Sequence, residues 1–159
     1  MGLSSYPDGI VGLPGEVHTT QLNALGTKAF GTGSHAGNEY IYLAGVASTA
    51  IGTWVTFDEA HVTTRAVANG QGRVAVATAA TVASTWGWYQ IYGSASGLAL
   101  TAFVDNGKVY LTSTAGSVDD TDVSADFVAG AIGRSAVNET TLLATFELNY
   151  PFVQDTAFD

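Results

Sequence analysis

The segment 119–126, DDTDVSAD, carries the residue types and spacing closest to those of a metal site in this chain. Oxygen-bearing side chains stand at alternate positions, as in the first half of a calcium-binding loop. Such a loop also needs glycine at its sixth position and a bidentate glutamate at its twelfth. The chain has Ala125 and Ala131 at those positions, so a solvated acidic turn is favoured over a calcium site. The candidate ligands of such a site are Asp120, Asp122, Ser124 and Asp126.

No other set of residues forms a recognisable catalytic motif. The three histidines, His18, His35 and His61, lack the close spacing of metal ligands, and we expect them on the surface or in loops. The segment 93–97, GSASG, resembles a nucleophile elbow but places Ala95 where the serine must stand. The glycine-rich stretches lack the Lys-Ser/Thr pair of a phosphate-binding loop. The sequence therefore predicts no enzymatic activity and no cofactor.

The segment 86–92, WGWYQIY, contains four of the large aromatic residues of the chain. As a strand it would carry bulky side chains on both faces, because alternate residues point to opposite sides. Three interpretations are open: a core strand, a subunit interface, or a carbohydrate-stacking face built on Trp86 and Trp88. We place Trp86, Trp88, Gln90 and Tyr92 at a subunit interface or in the core, and expect Tyr89 and Ile91 to be buried within one subunit.

The composition predicts an all-β fold. Of 159 residues, 47% are hydrophobic and only 12% are charged, and 19 are glycine. So few charged residues cannot cover the solvent faces of long helices, whereas short strands with Thr, Ser and Ala on their outer faces need few charges. One domain of this length buries a substantial core. We expect an antiparallel β-sandwich of jelly-roll type, with a small β-barrel as the alternative.

The pattern along the chain divides it into two parts. Residues 1–36 are rich in glycine and contain two of the three prolines, which is typical of an extended N-terminal arm with at most short strands near 16–21 and 28–32. Residues 37–159 alternate polar and apolar residues between turns and form the all-β domain. An Asn-Gly turn at 105–107 predicts a hairpin, and a turn is also predicted at 94–97. Strands are predicted at 39–46, 53–57, 62–67, 73–83, 86–92, 98–104, 108–113, 127–135 and 140–149.

Charge and targeting signals narrow the range of partners. Five basic residues stand against fourteen acidic ones, for a net charge of −9, and the basic residues are scattered. Nucleic acid is therefore excluded as a predicted partner. The first twelve residues lack the regions of a secretory signal, and Tyr6 stands where a myristoylation signal needs Ser or Thr. No apolar run approaches a membrane span, so no membrane association is predicted.

Several segments resemble the capsid decoration (cement) proteins of tailed bacteriophages. Residues 72–93, GRVAVATAATVASTWGWYQIYG, are similar to an apolar "G-V-A" strand followed by the "G-W-x-Q-V-x-G" pattern of that group, and a small-residue turn follows at 94–97. Residues 107–118, GKVYLTSTAGSV, look like its "L-x-x-T-A-G-x-V" hairpin. Residues 128–137, VAGAIGRSAV, look like its "V-x-G-x-A" strand, and 142–148 like its closing strand. The similarity covers roughly residues 70–150.

The resemblance implies a structural role in a virion. Proteins of this group are β-rich, usually form trimers, and bind the outer surface of the phage head, where they clamp neighbouring major capsid subunits without covalent bonds. The expected partners are thus the major capsid protein and two further copies of the chain. The alternative function is a glycan- or receptor-binding module on a virion surface, with Trp54, Trp86 or Trp88 in an exposed groove. The expected capsid-contact residues lie in the arm: Tyr6, Pro7, Ile10, Val11, Leu13 and Phe30.

Overall fold

A computed structural model of the chain describes residues 3–5 and 12–154. These residues form antiparallel β-strands and no α-helix, which confirms the predicted all-β fold class. A single 3-10 turn is present at Gly33–His35. The strands are β1 (Leu3–Ser5), β2 (Lys28–Gly31), β3 (Glu39–Ala44), β4 (Trp54–Phe57), β5 (Thr63–Arg65), β6 (Gly72–Ala77), β7 (Trp86–Leu98), β8 (Lys108–Leu111), β9 (Val118–Asp119), β10 (Phe127–Gly133) and β11 (Leu143–Val153).

The sheet closes on itself into a barrel-like body. Its strand order is β1-β2-β3-β7-β6-β11-β10-β8-β9, with β4 pairing with both β5 and β6 off this path. Backbone hydrogen bonds from Ala68 N to Thr112 O (2.9 Å) and from Gly116 N to Ala66 O (2.7 Å) join the segment after β5 to the segment after β8. Strands β4, β6, β11, β10, β8 and β5 therefore surround one core, whose largest side chains are Trp54, Phe103, Phe146, Leu111 and Leu148.

A second layer packs on the outside of this body. Strands β2 and β3 and the first half of β7 form it, and Ile41 and Tyr89 pack there with Phe57 of β4 in a separate hydrophobic cluster. The outer side of the layer holds a third cluster, formed by Ala29, Tyr40, Tyr42 and Trp88. The thirteen residues of β7 belong to both layers, because the strand pairs with β3 over 86–92 and with β11 over 92–98.

Three strands meet at a junction where β7 and β11 separate. Their pairing ends at Tyr92 and Asn149, and β6 then pairs with β7 through Val76 and Ala77 and with β11 through Gly72 and Arg73. Tyr150 has a left-handed backbone (φ 47°) and precedes Pro151, which has no N–H to donate to a ladder. The junction therefore leaves an opening in the sheet beside Tyr150.

Most predicted strands are confirmed with shifted ends. An observed strand lies within or overlaps each predicted strand from 39–46 to 86–92, and the same holds for 108–113, 127–135 and 140–149. The Ala-rich stretch 73–83 is a strand as predicted, although it ends at Ala77. Lys28–Gly31 also pairs within the sheet, so this part of the predicted arm is an integral strand. At 16–21 only an isolated bridge forms, between His18 and Trp86.

Two predictions around residues 94–104 are wrong. The predicted turn at 94–97 is the second half of β7, because its alternating small residues pair with β11 in continuous register. The predicted strand at 98–104 is absent apart from Leu98, the last residue of β7, and a bridge at Ala99, although the Asn-Gly turn that follows does form. Two carboxylates bind the backbone of the segment 98–104: Glu139 accepts a hydrogen bond from Ala102 N (2.9 Å), and Asp120 accepts one from Val104 N (2.9 Å).

Candidate functional site: an aromatic patch beside a basic cavity

The aromatic strand is divided between core and surface. Trp88 is fully buried and packs edge-on against Tyr42, with ring centroids 5.1 Å apart. Tyr89 and Ile91 are buried as predicted. Gln90 is buried as well, and its amide donates to the carbonyls of Tyr92 (3.0 Å) and Ser94 (2.9 Å). Trp88 and Gln90 are therefore core residues, and Trp86 is half-buried against the same cluster as Trp88.

Tyr92 is the member of this set that reaches the surface, and it belongs to an aromatic patch. We define the aromatic patch as Phe30, Glu39, Tyr92 and Tyr150. Phe30, Glu39 and Tyr92 lie opposite one another across β2, β3 and β7 and so share one face of the sheet. Tyr150 joins them from β11: its ring lies 5.2 Å from that of Tyr92, and its hydroxyl donates to the Glu39 carboxylate. Phe30 is 48% exposed, Tyr92 38% and Tyr150 50%.

The hydrogen bond to Glu39 raises the pKa of Tyr150 to about 12. Because this pKa in the folded protein lies above the usual 10, the contribution of the bond to stability is complete below pH 10 and is lost as the pH rises towards 12. We expect the Glu39→Gln variant to return the pKa of one tyrosine towards 10, which ultraviolet absorbance titration of tyrosinate measures. A Tyr150→Phe variant should reduce the late transition by one tyrosine, while Tyr89, whose pKa burial raises to about 12, still titrates there. An unchanged titration in Glu39→Gln would contradict the assignment.

A cavity of about 200 Å³ opens at the three-strand junction, next to the aromatic patch. We call it the basic cavity, because Lys28 and Arg73 both line it, and these are two of the five basic residues of the chain. Its wall is apolar, and Tyr150 is shared between the cavity and the patch. The remaining lining residues are Ile41, Phe57, Val74, Ile91 and Pro151.

Both basic side chains of the cavity lack an acidic partner within the described residues. The carboxylate contacts of basic side chains in that part of the chain are Glu16–His18 and Arg134–Glu147, both outside the cavity. Arg73 places its guanidinium 4.5 Å from the centre of the Phe57 ring and donates to the carbonyl of Asp58 (2.8 Å). The ring and the carbonyl hold the guanidinium in place, and its charge has no acidic partner among the described residues.

The acidic segment does not assemble the calcium site whose spacing it partly matches. Asp126 is buried and accepts from the backbone N–H of Asn69 (2.6 Å), whereas Asp120 accepts from that of Val104 (2.9 Å). Asp122 and Ser124 are exposed. Across residues 3–5 and 12–154, no three acidic or histidine side chains converge in a way that could hold a metal ion. Asp120 and Asp126 therefore form hydrogen bonds that hold neighbouring loops together.

One of the three histidines is buried. His18 is not on the surface, although it lies outside the strands, in the segment before β2, as the loop alternative predicted. Its Nδ1 lies 2.8 Å from the Tyr42 hydroxyl and its Nε2 3.1 Å from the Glu16 carboxylate. The hydrogen bonds from His18 and from Leu13 N lower the pKa of Glu16. Two backbone bonds between His18 and Trp86 (2.8 and 2.9 Å) add to this contact, which fixes the segment before β2 against the outer layer.

The predicted capsid-contact residues are only partly described. Leu13 is 39% exposed, and Phe30 lies in the aromatic patch. Tyr6, Pro7, Ile10 and Val11 lie outside the described residues.

Lys28, Arg73 and Tyr150 were not predicted as site residues. They come together only through strand pairing across more than a hundred residues, and the adjacent Tyr150-Pro151 pair is the one local signal of a break in β11.

Comparison with protein-family models, curated proteins and solved structures finds no match for this chain. None of the described residues belongs to a helix long and apolar enough to cross a membrane.

Proposed function

We propose that this protein is a structural protein of a phage virion, which binds the outer surface of the head as a homotrimer and stabilises the capsid. It does so by clamping neighbouring subunits of the major capsid protein through non-covalent contacts. The role is one of binding, without catalysis. What supports it from the sequence is the resemblance of residues 72–148 to the strand and hairpin patterns of decoration proteins.

The observation that carries the proposal is the exposed aromatic patch. Aromatic side chains are favoured in protein interfaces, since they bury a large area at a low cost in conformational entropy. Three partly exposed aromatic rings on one face, with the carboxylate of Glu39 bonded among them, fit a contact that excludes water around a few large side chains. Weak contacts of this kind hold firmly when repeated in a trimer on a symmetric lattice.

Two of the three tryptophans that the glycan-binding alternative needs in an exposed groove are buried. Trp54 and Trp88 are fully buried, and Trp54 additionally donates its indole N–H to the carbonyl of Leu98 (3.1 Å). Neither ring offers a face to a sugar. The burial of these two tryptophans supports the capsid-binding proposal over the glycan-binding alternative.

The test is direct binding to expanded phage capsids that lack a decoration protein. We expect saturable occupancy with wild-type protein and a higher temperature of capsid disruption, because a ligand of the intact lattice stabilises it by mass action. Occupancy is measured by densitometry after sedimentation, and disruption by calorimetry. Absence of binding by the folded wild-type protein to capsids of its own phage would overturn the proposal.

Variants in the patch locate the contact. Phe30→Ser combined with Tyr92→Ser should reduce occupancy at least about tenfold, as expected when two interface aromatics are lost. Phe127→Ser is the matched control, because Phe127 is 45% exposed but lies on β10, outside the patch. Equal loss of binding in the control would show that the patch is not the contact.

A further inference from the structure

We infer that the basic cavity is one half of the contact between copies of this chain, and that it receives the acidic segment around Asp122 of a second copy. The inference deepens the proposed homotrimer and rests on it. The cavity supplies two cations and an apolar wall, and the segment supplies an exposed carboxylate beside an exposed aliphatic side chain, Val123.

The size of the cavity points to side chains as its occupants. At about 200 Å³ it is smaller than the roughly 300–1,000 Å³ of sites for drug-sized ligands. One or two side chains of a neighbouring protein fill such a volume. The apolar wall of Ile41, Ile91 and Pro151 suits an aliphatic group, and Tyr150 at the rim connects the cavity with the aromatic patch.

The charges of the cavity call for a carboxylate. Lys28 and Arg73 are positively charged lining residues in a chain whose net charge is −9. No described acidic side chain forms an ion pair with either of them. Arg73 is positioned by Phe57 and the Asp58 carbonyl, so little order must be gained when an acid binds. A guanidinium fork beside an ammonium matches the geometry of a carboxylate.

A second copy of the chain offers that carboxylate in a suitable setting. Asp122 is exposed, and Val123 beside it is 42% exposed. The neighbours Asp120 and Asp126 are engaged by backbone N–H groups, which anchor the segment at both ends and leave Asp122 between them. The segment thus presents one acid and one aliphatic group on a fixed loop, complementary to the cavity in charge and in polarity.

The cavity and the acidic segment are different surfaces of the chain, so a contact between them fits copies that are related head to tail. The cavity draws residues from β2, β3, β4, β6, β7 and β11, whereas the acidic segment follows β9. The contact therefore joins different surfaces of two copies. Head-to-tail contacts close into rings when the rotation between subunits allows it, and a trimer is one such ring.

The test measures self-association without any capsid. Wild-type protein should form a trimer in size-exclusion chromatography with light scattering. This trimer should dissociate as salt is raised from about 50 to about 500 mM, because the Debye length then shortens about threefold and screens the charge pairs. The double variant Lys28→Glu, Arg73→Glu should weaken association at least about tenfold, because like charges then face each other. Wild-type protein that stays monomeric at all concentrations would overturn the inference.

Reversing the charges on both sides of the proposed contact tests the pairing directly. Asp122→Lys alone should also weaken association, and its combination with Lys28→Glu and Arg73→Glu should restore it. Asp105→Lys is the matched control, since Asp105 is exposed but lies outside the segment. Circular dichroism and thermal melting establish that each variant is folded, and Lys28→Gln, Arg73→Gln replaces the double variant if reversal prevents folding. Without rescue by Asp122→Lys the pairing is wrong, even when capsid binding, measured separately, persists.

Discussion

The Trp88→Ala variant should lose about 3–5 kcal/mol of unfolding free energy, the usual cost of removing a large buried aromatic side chain. Trp88 is fully buried in the outer cluster, where its ring packs against Tyr42. Chemical denaturation with a check for an unchanged m-value measures the loss. A loss below about 1 kcal/mol would contradict the core assignment of this residue.

Two companion variants separate packing from surface contact in the same strand. Tyr92→Ala should cost about 1 kcal/mol or less, because its side chain is partly exposed and is supported chiefly by the ring of Tyr150. Trp88→Phe should cost clearly less than Trp88→Ala. The indole N–H of Trp88 is buried without a hydrogen-bond partner among the described residues, and its removal relieves a desolvation penalty. Equal losses in Trp88→Phe and Trp88→Ala would show that aromatic packing is not what Trp88 contributes.

Gly45→Ala should destabilise the protein by about 3 kcal/mol, at the upper end of the range for overpacking. A Cβ atom at this position would lie well inside van der Waals contact with the carbonyl oxygens of Thr81 and Val82. Both are backbone atoms, and the loop that carries them is bonded to the end of β3 through Gly45 N to Thr85 O (2.8 Å) and Val46 N to Thr81 O (3.2 Å). The loop therefore cannot move away without breaking these bonds.

Gly37→Ala is the matched control for this effect. Gly37 has a left-handed backbone (φ 88°), and a Cβ there would meet no atom within 4 Å. Its substitution should cost only the conformational penalty, about 1 kcal/mol. Thermal unfolding of the two variants under one condition distinguishes them. A Gly37→Ala loss as large as that of Gly45→Ala would show that crowding is not the cause.

The fold class and most strand positions could be predicted from the sequence because they depend on local pattern. Low charge, abundant Thr and Val, and alternation between turns indicated the all-β fold and a strand at 73–83 despite its alanines, of which the structure forms the part up to Ala77. The long β7 could not be predicted in full. Ser94 and Gly97 favour turns by local chemistry, but pairing with β11 keeps this segment extended.

The candidate site was only partly predictable, for a related reason. Tyr92, Trp88 and Gln90 were predicted together to lie at a subunit interface or in the core, and the sequence did not show that Tyr92 alone of the three is exposed. Lys28, Arg73 and Tyr150 lie far apart in the chain and meet only where β6 enters between β7 and β11. Such a junction depends on tertiary pairing, which local patterns do not encode.

The position of Tyr92 in β7 has a mechanical consequence. Tyr92 is the seventh of thirteen residues in the strand, with the ladder to β3 on one side of it and the ladder to β11 on the other. A pull along the strand at this point acts on many backbone hydrogen bonds at once, in shear, instead of opening them one after another from a free end. A neighbour attached at Tyr92 would thus be anchored to both layers of the protein, and tension between two subunits would be carried by the whole domain.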